Sequence, residues 1–386
     1  MAPRSGLARV GAISAVAVLA IVLGAGAGLV ARGAVDSTSG AGWCPSEPRG
    51  PVPAHCLGSG ARPASAEALP IAPLRLLGEQ RELVIGAAVN ANTLRSDPEY
   101  AIVLGREFNG ITPENAMKWT ALEPVPGEFD RSGADALIEF ARQHDQQVYG
   151  HTLVWHRQVP RWAHDAVTAH QTGAMLREHI HAQVSYFRGD VWAWDVANEV
   201  FDDDGSLRDS FWLRRMGPEY IEDSFRWARE ADPEAALFIN DFGIEGINAK
   251  SDALYAWVTD ALERGVPIDG IGFQVHWTLA PLPGSFADNM TRFADLGLDV
   301  AITEMDVRIP TPATEQSLAE QAEIFDQALT ACRTVAACRS FTVWGVSDAH
   351  SWVPHAYPEQ GSATLFDGGY RPKPAYQSLV EALRRP

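Results

Sequence analysis

The chain has 386 residues, of which 46% are hydrophobic and 21% charged, with a formal net charge of -18 at neutral pH. That size suits one large α/β domain or two modest ones, and the composition is that of a globular protein rather than a disordered or fibrous one. The acidic balance argues against nucleic acid or an anionic membrane surface as a partner, since both select basic patches. Twelve tryptophans serve either a large aromatic core or the stacking of sugar rings, and composition alone leaves both open.

In chain order, Arg4 and Arg9 precede an uncharged apolar stretch from Val10 to Ala31. Positive charge followed by an apolar run is the order of an export signal. A run of about twenty such residues also suffices to span a bilayer. Residues 1–34 are therefore read as a signal peptide or membrane anchor, with a tether through residues 10–31 as the alternative to cleavage. Either way the rest of the chain is expected outside the cytoplasm, secreted or tethered. Residues 35–77, rich in Pro, Gly, Ser and Ala, read as a linker. Four cysteines suit an exported protein. Three pairings are possible, and proximity favours Cys44 with Cys56, as a small loop in the linker, and Cys332 with Cys338.

From residue 78 to 386 short apolar runs alternate with helical patterns. The runs are LVIGAAVN (83–90), EFNGITPENAMKW (107–119), QVYGHTLVWH (147–156), VWAWDVANE (191–199), ALFINDF (236–242), IDGIGFQVHW (268–277), DVAITEMD (299–306) and SFTVWGVSD (340–348). Between them, stretches such as 133–147, 251–266 and 317–332 space their apolar residues three and four apart, as amphipathic helices do. Alternating strands and helices predict a parallel sheet. Eight units, continuous apolar runs and no glycine-rich dinucleotide loop point to an α/β fold of the eight-stranded (β/α)8 TIM-barrel class.

In such a barrel the chemistry sits at the C-terminal ends of the strands. Those ends carry Asn90, Glu114, Asn115, His151, Asn198, Glu199, Asn240, Asp241, Gln274, His276, Glu304, Asp306 and Trp344. Loops begin there, which explains polarity but not a choice limited to amides, imidazoles, carboxylates and tryptophan. Glu199 and Glu304 end strands 4 and 7, on opposite sides of the mouth. Paired carboxylates across a sugar-sized cleft are the apparatus of glycoside hydrolysis, one protonated to serve the leaving oxygen and one ionised. His151 and His156 lack the HxH spacing of metal-dependent barrel hydrolases, so no metal and no cofactor is expected. The rival readings are a different β-glycanase on the same barrel and a non-catalytic glycan-binding barrel.

The segments GHTLVWH, WDVANE, GFQVHW, ITEMD and FTVWGVSDAHSW, in that order, resemble the signatures of glycoside hydrolase family 10, the β-1,4-xylanases. ENAMKW, INDF, GINAKSD and YRPKPAY extend the resemblance over nearly all of residues 78–386. It implies a monomeric, metal-free barrel that cleaves internal β-1,4 linkages of xylan and xylo-oligosaccharides with retention. Residue by residue, it implies Glu199 as acid/base and Glu304 as nucleophile, with His276 bonded to Glu304 and Asp306 orienting the ring. Asn198 would bind the 2-hydroxyl of the reacting sugar, and His151 and Trp155 would hold that sugar. Gln274 would reach it or its neighbours. Glu114, Asn115 and Lys118 would bind the next sugar towards the non-reducing end. Trp344 would floor the site, and Trp352 would crowd the hydroxymethyl group that xylose lacks. The sequence departs from the family at Phe242 and Gly243, where the family has Tyr and Asn, and at Val275 and Trp277.

Overall fold

In the computed structural model, residues 72–165 and 168–386 are described. The apolar runs become eight strands: β1 Val84–Val89, β2 Gly110–Pro113, β3 Gln147–Gly150, β4 Val191–Asn198, β5 Ala236–Asp241, β6 Gly270–Phe273, β7 Asp299–Val307 and β8 Cys338–Val343. Each pairs in parallel with the next, and β8 pairs with both β7 and β1, closing the barrel. Closure leaves no free edge and buries both faces of every strand, which is why these runs are continuously apolar rather than alternating.

Each strand is followed by a helix on the outside: α1 Pro98–Glu107, α2 Ser132–Gln143, α3 Ala169–Tyr186, α4 Glu219–Ala231, α5 Ala249–Glu263, α6 Phe286–Ala294, α7 Glu315–Thr334 and α8 Pro374–Arg384. The helices bury one stripe each. On α2 the buried positions are Ala134, Leu137, Ile138 and Ala141, spaced as one face of a helix requires. Their starts are set by side chains that cap free backbone N–H groups. Thr168, Asn248 and Thr314 each close a reciprocal capping box, with Gln171, Ser251 and Ser317 respectively.

A short helix, Leu74–Glu79, precedes β1 and straddles the expected boundary at residue 78. Leu74 and Leu77 are buried, and the Leu74 N–H donates to Glu107 at 3.1 Å. Tyr376 on α8 donates to the same carboxylate oxygen at 2.9 Å. The barrel body therefore takes in a helical turn that composition had assigned to the linker. Residues 1–34, most of the 35–77 linker and the expected Cys44–Cys56 pair lie outside the described residues. Among the described residues no helix is long and apolar enough to cross a membrane.

Cys332, near the end of α7, is bonded to Cys338, the first residue of β8, with 5.4 Å between their Cα atoms. Closing so short a loop restricts the unfolded chain by about 2 kcal/mol in the entropic treatment. Replacing both cysteines with serine is expected to lower unfolding free energy by about that amount, read from the denaturant midpoint at unchanged slope. No change in midpoint would show that the bond contributes nothing to stability.

Candidate active site

The strand ends converge at the mouth of the barrel. Glu199, one residue past β4, has a backbone φ of +56°, in the left-handed region that residues with a Cβ avoid. This turn takes the chain out of the sheet. The carboxylate is engaged at both oxygens: Trp155 Nε1 donates to Oε2 at 2.8 Å and Gln274 Nε2 to Oε1 at 3.4 Å. His156 Nδ1 lies 3.6 Å from Oε2.

Glu304, within β7, is only 4% exposed. Asn240 Nδ2 donates to its Oε1 at 2.7 Å, and His276 Nε2 meets Oε2 at 3.2 Å. His151 Nδ1 stands 3.9 Å from Oε1. Burial pushes this carboxyl up, but the charge of His151, the hydrogen bond and charge of His276, and the Lys118 ammonium outweigh burial and hold it below the usual glutamate range. Glu304 is therefore a buried carboxylate that stays ionised.

His276 is held at both ring nitrogens, by Glu304 and, through Nδ1 at 3.0 Å, by Asp306. Burial opposes a charge on the ring, yet the two carboxylates raise it well above an ordinary imidazole. Asp306 is fully buried and also accepts from Trp352 Nε1 at 2.7 Å. The resulting chain is carboxylate, imidazolium, carboxylate, indole, with each ring nitrogen within 3.2 Å of a carboxylate oxygen.

The hub of the network is Asn240, at the end of β5. Its Oδ1 accepts the Thr303 hydroxyl at 2.7 Å, which fixes the amide orientation. Its Nδ2 then reaches Glu304 Oε1 and Asn198 Oδ1, at 2.7 and 2.9 Å, with Asp195 Oδ2 further off at 3.4 Å. Gly272 beside it must lack a side chain, because a Cβ there would lie 2.4 Å from Asn240 Oδ1. Asn198 Oδ1 accepts from Gln274 as well, at 3.2 Å, so the N–H2 of Asn198 is the end left for a ligand. In the sequence Asn240 is one polar strand end among several. The available signal was an amide closing the wholly buried run Leu237–Ile239.

Asp195 lies in the same layer, accepting from Tyr149 OH at 2.7 Å and pairing with His151 Nδ1 at 2.8 Å. Burial raises its carboxyl. His151, Asp195 and Glu304 are the one trio of potential metal ligands this close together among the described residues. His151 Nδ1 lies 2.8 Å from Asp195 Oδ2 and 3.9 Å from Glu304 Oε1, so ion pairing and hydrogen bonding account for the trio.

The remaining expected residues line the cleft. Glu114 accepts from Asn90 Nδ2 at 3.3 Å. Lys118 donates to Asn115 Oδ1 at 3.2 Å and sits 4.9 Å above the Trp155 ring. Trp155 thus spends its N–H on Glu199 and one face on Lys118, where a sugar contact was expected. Trp344 meets the rings of His151 and His276 edge-on, at 5.2 and 6.1 Å, and Trp352 stands 5.1 Å from His276. At the departures from the family pattern, Phe242 lies 3.8 Å from the Lys250 ammonium and Gly243 has a φ of +71°. Val275 has a φ of +58°, its N–H held by the buried Glu245 at 3.0 Å. Trp277 donates to the Ala280 carbonyl at 2.7 Å.

The sequence profile of glycosyl hydrolase family 10 matches residues 74–382. The chain is 42% identical over 316 residues to endo-1,4-beta-xylanase B of Thermotoga neapolitana, covering 81% of this chain and 91% of that one. It is 41% identical over 288 residues to the endo-1,4-beta-xylanase of Agaricus bisporus, covering 74% and 86%. Its fold is similar to native xylanase 10B from Thermotoga maritima, with a TM-score of 0.79, 44% identity and coverage of 81% and 98%. It is equally similar to xylanase 10B from Thermotoga petrophila RKU-1 in complex with xylobiose, with a TM-score of 0.79, 44% identity and coverage of 81% and 97%.

The His276 ring is expected to stay protonated as pH rises through the free-imidazole value of about 6.5. The stability its charge contributes is therefore complete below that pH and is lost only as pH passes the raised value. Ring resonances followed by NMR should titrate above the free value in the wild type, and lower in Asp306→Asn. A wild-type midpoint at or below the free value would contradict the charged ring.

Proposed function

The chain belongs to glycosyl hydrolase family 10, and we propose that Glu199 and Glu304 carry that family's reaction in it. It is an endo-1,4-β-xylanase, a retaining hydrolase of internal linkages in xylan. The observation that carries the assignment of roles is the asymmetry of the two carboxylates. Glu304 is buried among donors that keep it ionised, the state of a nucleophile. Glu199 is more accessible, its side chain 13% exposed, and sits at the head of a turn facing the cleft.

In the first step Glu304 attacks the anomeric carbon while Glu199 gives its proton to the leaving oxygen and the glycosidic bond breaks. A covalent glycosyl ester on Glu304 results. In the second step Glu199, now a carboxylate, takes a proton from water. The water oxygen attacks the anomeric carbon, and the Glu304 carboxylate departs. Two inversions give retention. The free N–H2 of Asn198 suits the 2-hydroxyl of the reacting sugar, a contact that strengthens as charge develops on the ring. Glu114, Asn115 and Lys118 suit the hydroxyls of the next sugar, Trp344 the floor, and Trp352 a wall where a hexose would carry its hydroxymethyl group. One chain supplies every one of these groups, which fits a monomer.

The segment ahead of the barrel supports action outside the cytoplasm. Arg4 and Arg9 precede the uncharged residues 10–31, and the Cys332–Cys338 bond is of a kind that persists in oxidising compartments. Fractionation of the producing cells should place the protein in the medium if the segment is cleaved, or in the membrane fraction if it is retained. Recovery in the cytosol would overturn export.

Glu304→Ala is expected to lower kcat/KM on xylan by about 10⁴-fold or more, and a loss within about tenfold would remove it as nucleophile. Glu199→Ala should still be glycosylated by an aryl xylobioside with a good leaving group, and azide should speed the second step by attacking without giving up a proton. Failure of both would remove Glu199 as acid/base. NMR of the nascent product should show the β-anomer first.

A further inference from the structure

The left-handed turn that presents Glu199 is held by few groups, and three of its bonds come from one residue, two of them from its side chain. The Glu199 N–H is taken by the Asn240 carbonyl at 2.8 Å. The next three carbonyls all accept from Arg208: Glu199 O from Nε at 2.8 Å, Val200 O from the backbone N–H at 2.8 Å, and Phe201 O from Nη2 at 2.8 Å. The Phe201 N–H donates to Asp241 Oδ2 at 3.2 Å. Arg208 is itself oriented by Asp202, Nη1 to Oδ1 at 2.7 Å. Asp241 is fully buried and pairs with the buried Lys250 ammonium at 2.8 Å.

The run Asp202-Asp203-Asp204-Gly205 makes this possible. Asp202 N–H donates to the Ser206 carbonyl and Asp204 accepts from the Ser206 N–H and hydroxyl, at 2.8, 2.9 and 2.6 Å. Gly205, with φ +85°, completes a tight reversal. Phe201 and Leu207 then pair antiparallel, and Arg208 lands back on the backbone of the residue that left the strand. Asp202, its side chain 41% exposed in this loop, holds the guanidinium.

Resting on the reading of Glu199 as acid/base, we propose that Arg208, oriented by Asp202 and backed by Asp241, is a positioning residue that holds the Glu199–Phe201 turn so that the carboxyl reaches the leaving oxygen. The Arg208 guanidinium bonds the backbone of the Glu199 turn rather than its carboxylate. It acts through two carbonyls, those of Glu199 and Phe201. The bonds it makes offset a backbone conformation that residue 199 would otherwise leave. Without them the carboxyl loses its aim while Glu304, anchored by Asn240 and His276 on other strands, keeps its own.

That separation makes the test specific. Proton donation matters for xylan, whose leaving group is a poor alkoxide, and not for 2,4-dinitrophenyl β-xylobioside, whose leaving group departs unprotonated. Arg208→Gln should lose about 10²-fold in kcat/KM on xylan, the scale of a misplaced catalytic group, and less than about threefold on the dinitrophenyl substrate. Azide should raise turnover of the dinitrophenyl substrate, because removal of a proton from water is impaired as well. Equal losses on both substrates, or no loss on xylan, would overturn the proposal. If Arg208→Gln fails to unfold cooperatively, Asp202→Ala, at a more exposed position, takes its place. It should show the same selectivity with a loss of about tenfold on xylan, and an unchanged ratio between substrates would overturn the proposal. Glu199→Ala serves as reference. If it shows the selectivity and the Arg208 variant does not, the brace alone fails. If Glu199→Ala loses both activities equally, the acid/base reading fails and the proposal with it.

Discussion

Keeping the Glu304 carboxylate ionised inside the barrel is the constraint around which the site is built. A lone buried carboxylate neutralises itself by taking a proton, because the interior solvates charge poorly. Glu304 avoids this because β5, β6 and β3 each deliver a group to it: Asn240, His276 and His151. Each of those groups needs its own partner to face the right way. Thr303 fixes Asn240, Asp306 fixes His276, and Asp195 fixes His151. Trp352 and Tyr149 then donate to Asp306 and Asp195. The polar layer at the mouth is therefore cross-linked from within, although Asp306 Oδ1 is left without a donor among the described residues, and the more of its members are paired the more such a network stabilises.

The barrel makes such a layer feasible because parallel strands end side by side. Residues far apart in sequence, such as Asn198 and Gln274, meet at one level. The chain must still leave the sheet without spoiling that register. It does so twice through left-handed residues with side chains, Glu199 and Val275, and both turns have a backbone N–H tied to an acid buried beneath them. Asp241 serves the first turn and Glu245 the second, and burial pushes Asp241 to about 7 and raises Glu245. The β5–α5 loop is thus a shelf under both exits. The departures Phe242 and Gly243 lie on that shelf, with Phe242 against Lys250 and Arg208.

Several elements were legible without coordinates. Continuous apolar runs separated by amphipathic helices identify a closed parallel barrel, since only a sheet covered on both faces needs such runs. Glu199 and Glu304 stand out as acids at or near the ends of such runs, although β7 continues past Glu304 to Val307. Asn240 and Arg208 did not stand out. Asn240 looks like any polar strand end until its four partners, from β4 and β7, are placed around it. Arg208 reads as a surface cation in an acidic loop until the reversal at Gly205 brings it back onto Glu199. The resemblance gave Trp155 the holding of the reacting sugar, and the structure adds that its N–H and one face are engaged by Glu199 and Lys118. The helix Leu74–Glu79 was hidden by the Pro- and Ala-rich stretch before it, because its apolar residues are too few to show a period.

By itself the sequence determined the fold class and the reaction type, and singled out two carboxylates as candidates, because these depend on the local period of apolar residues and on motifs read in chain order. The partners of each side chain were decided only by the tertiary structure. Which amide holds Glu304, which cation holds the Glu199 turn and which acid stands under each exit depend on distances between strands that are neighbours in space and distant in sequence. Hydrogen bonds act over about 3 Å, and nothing in a linear order of residues measures that length.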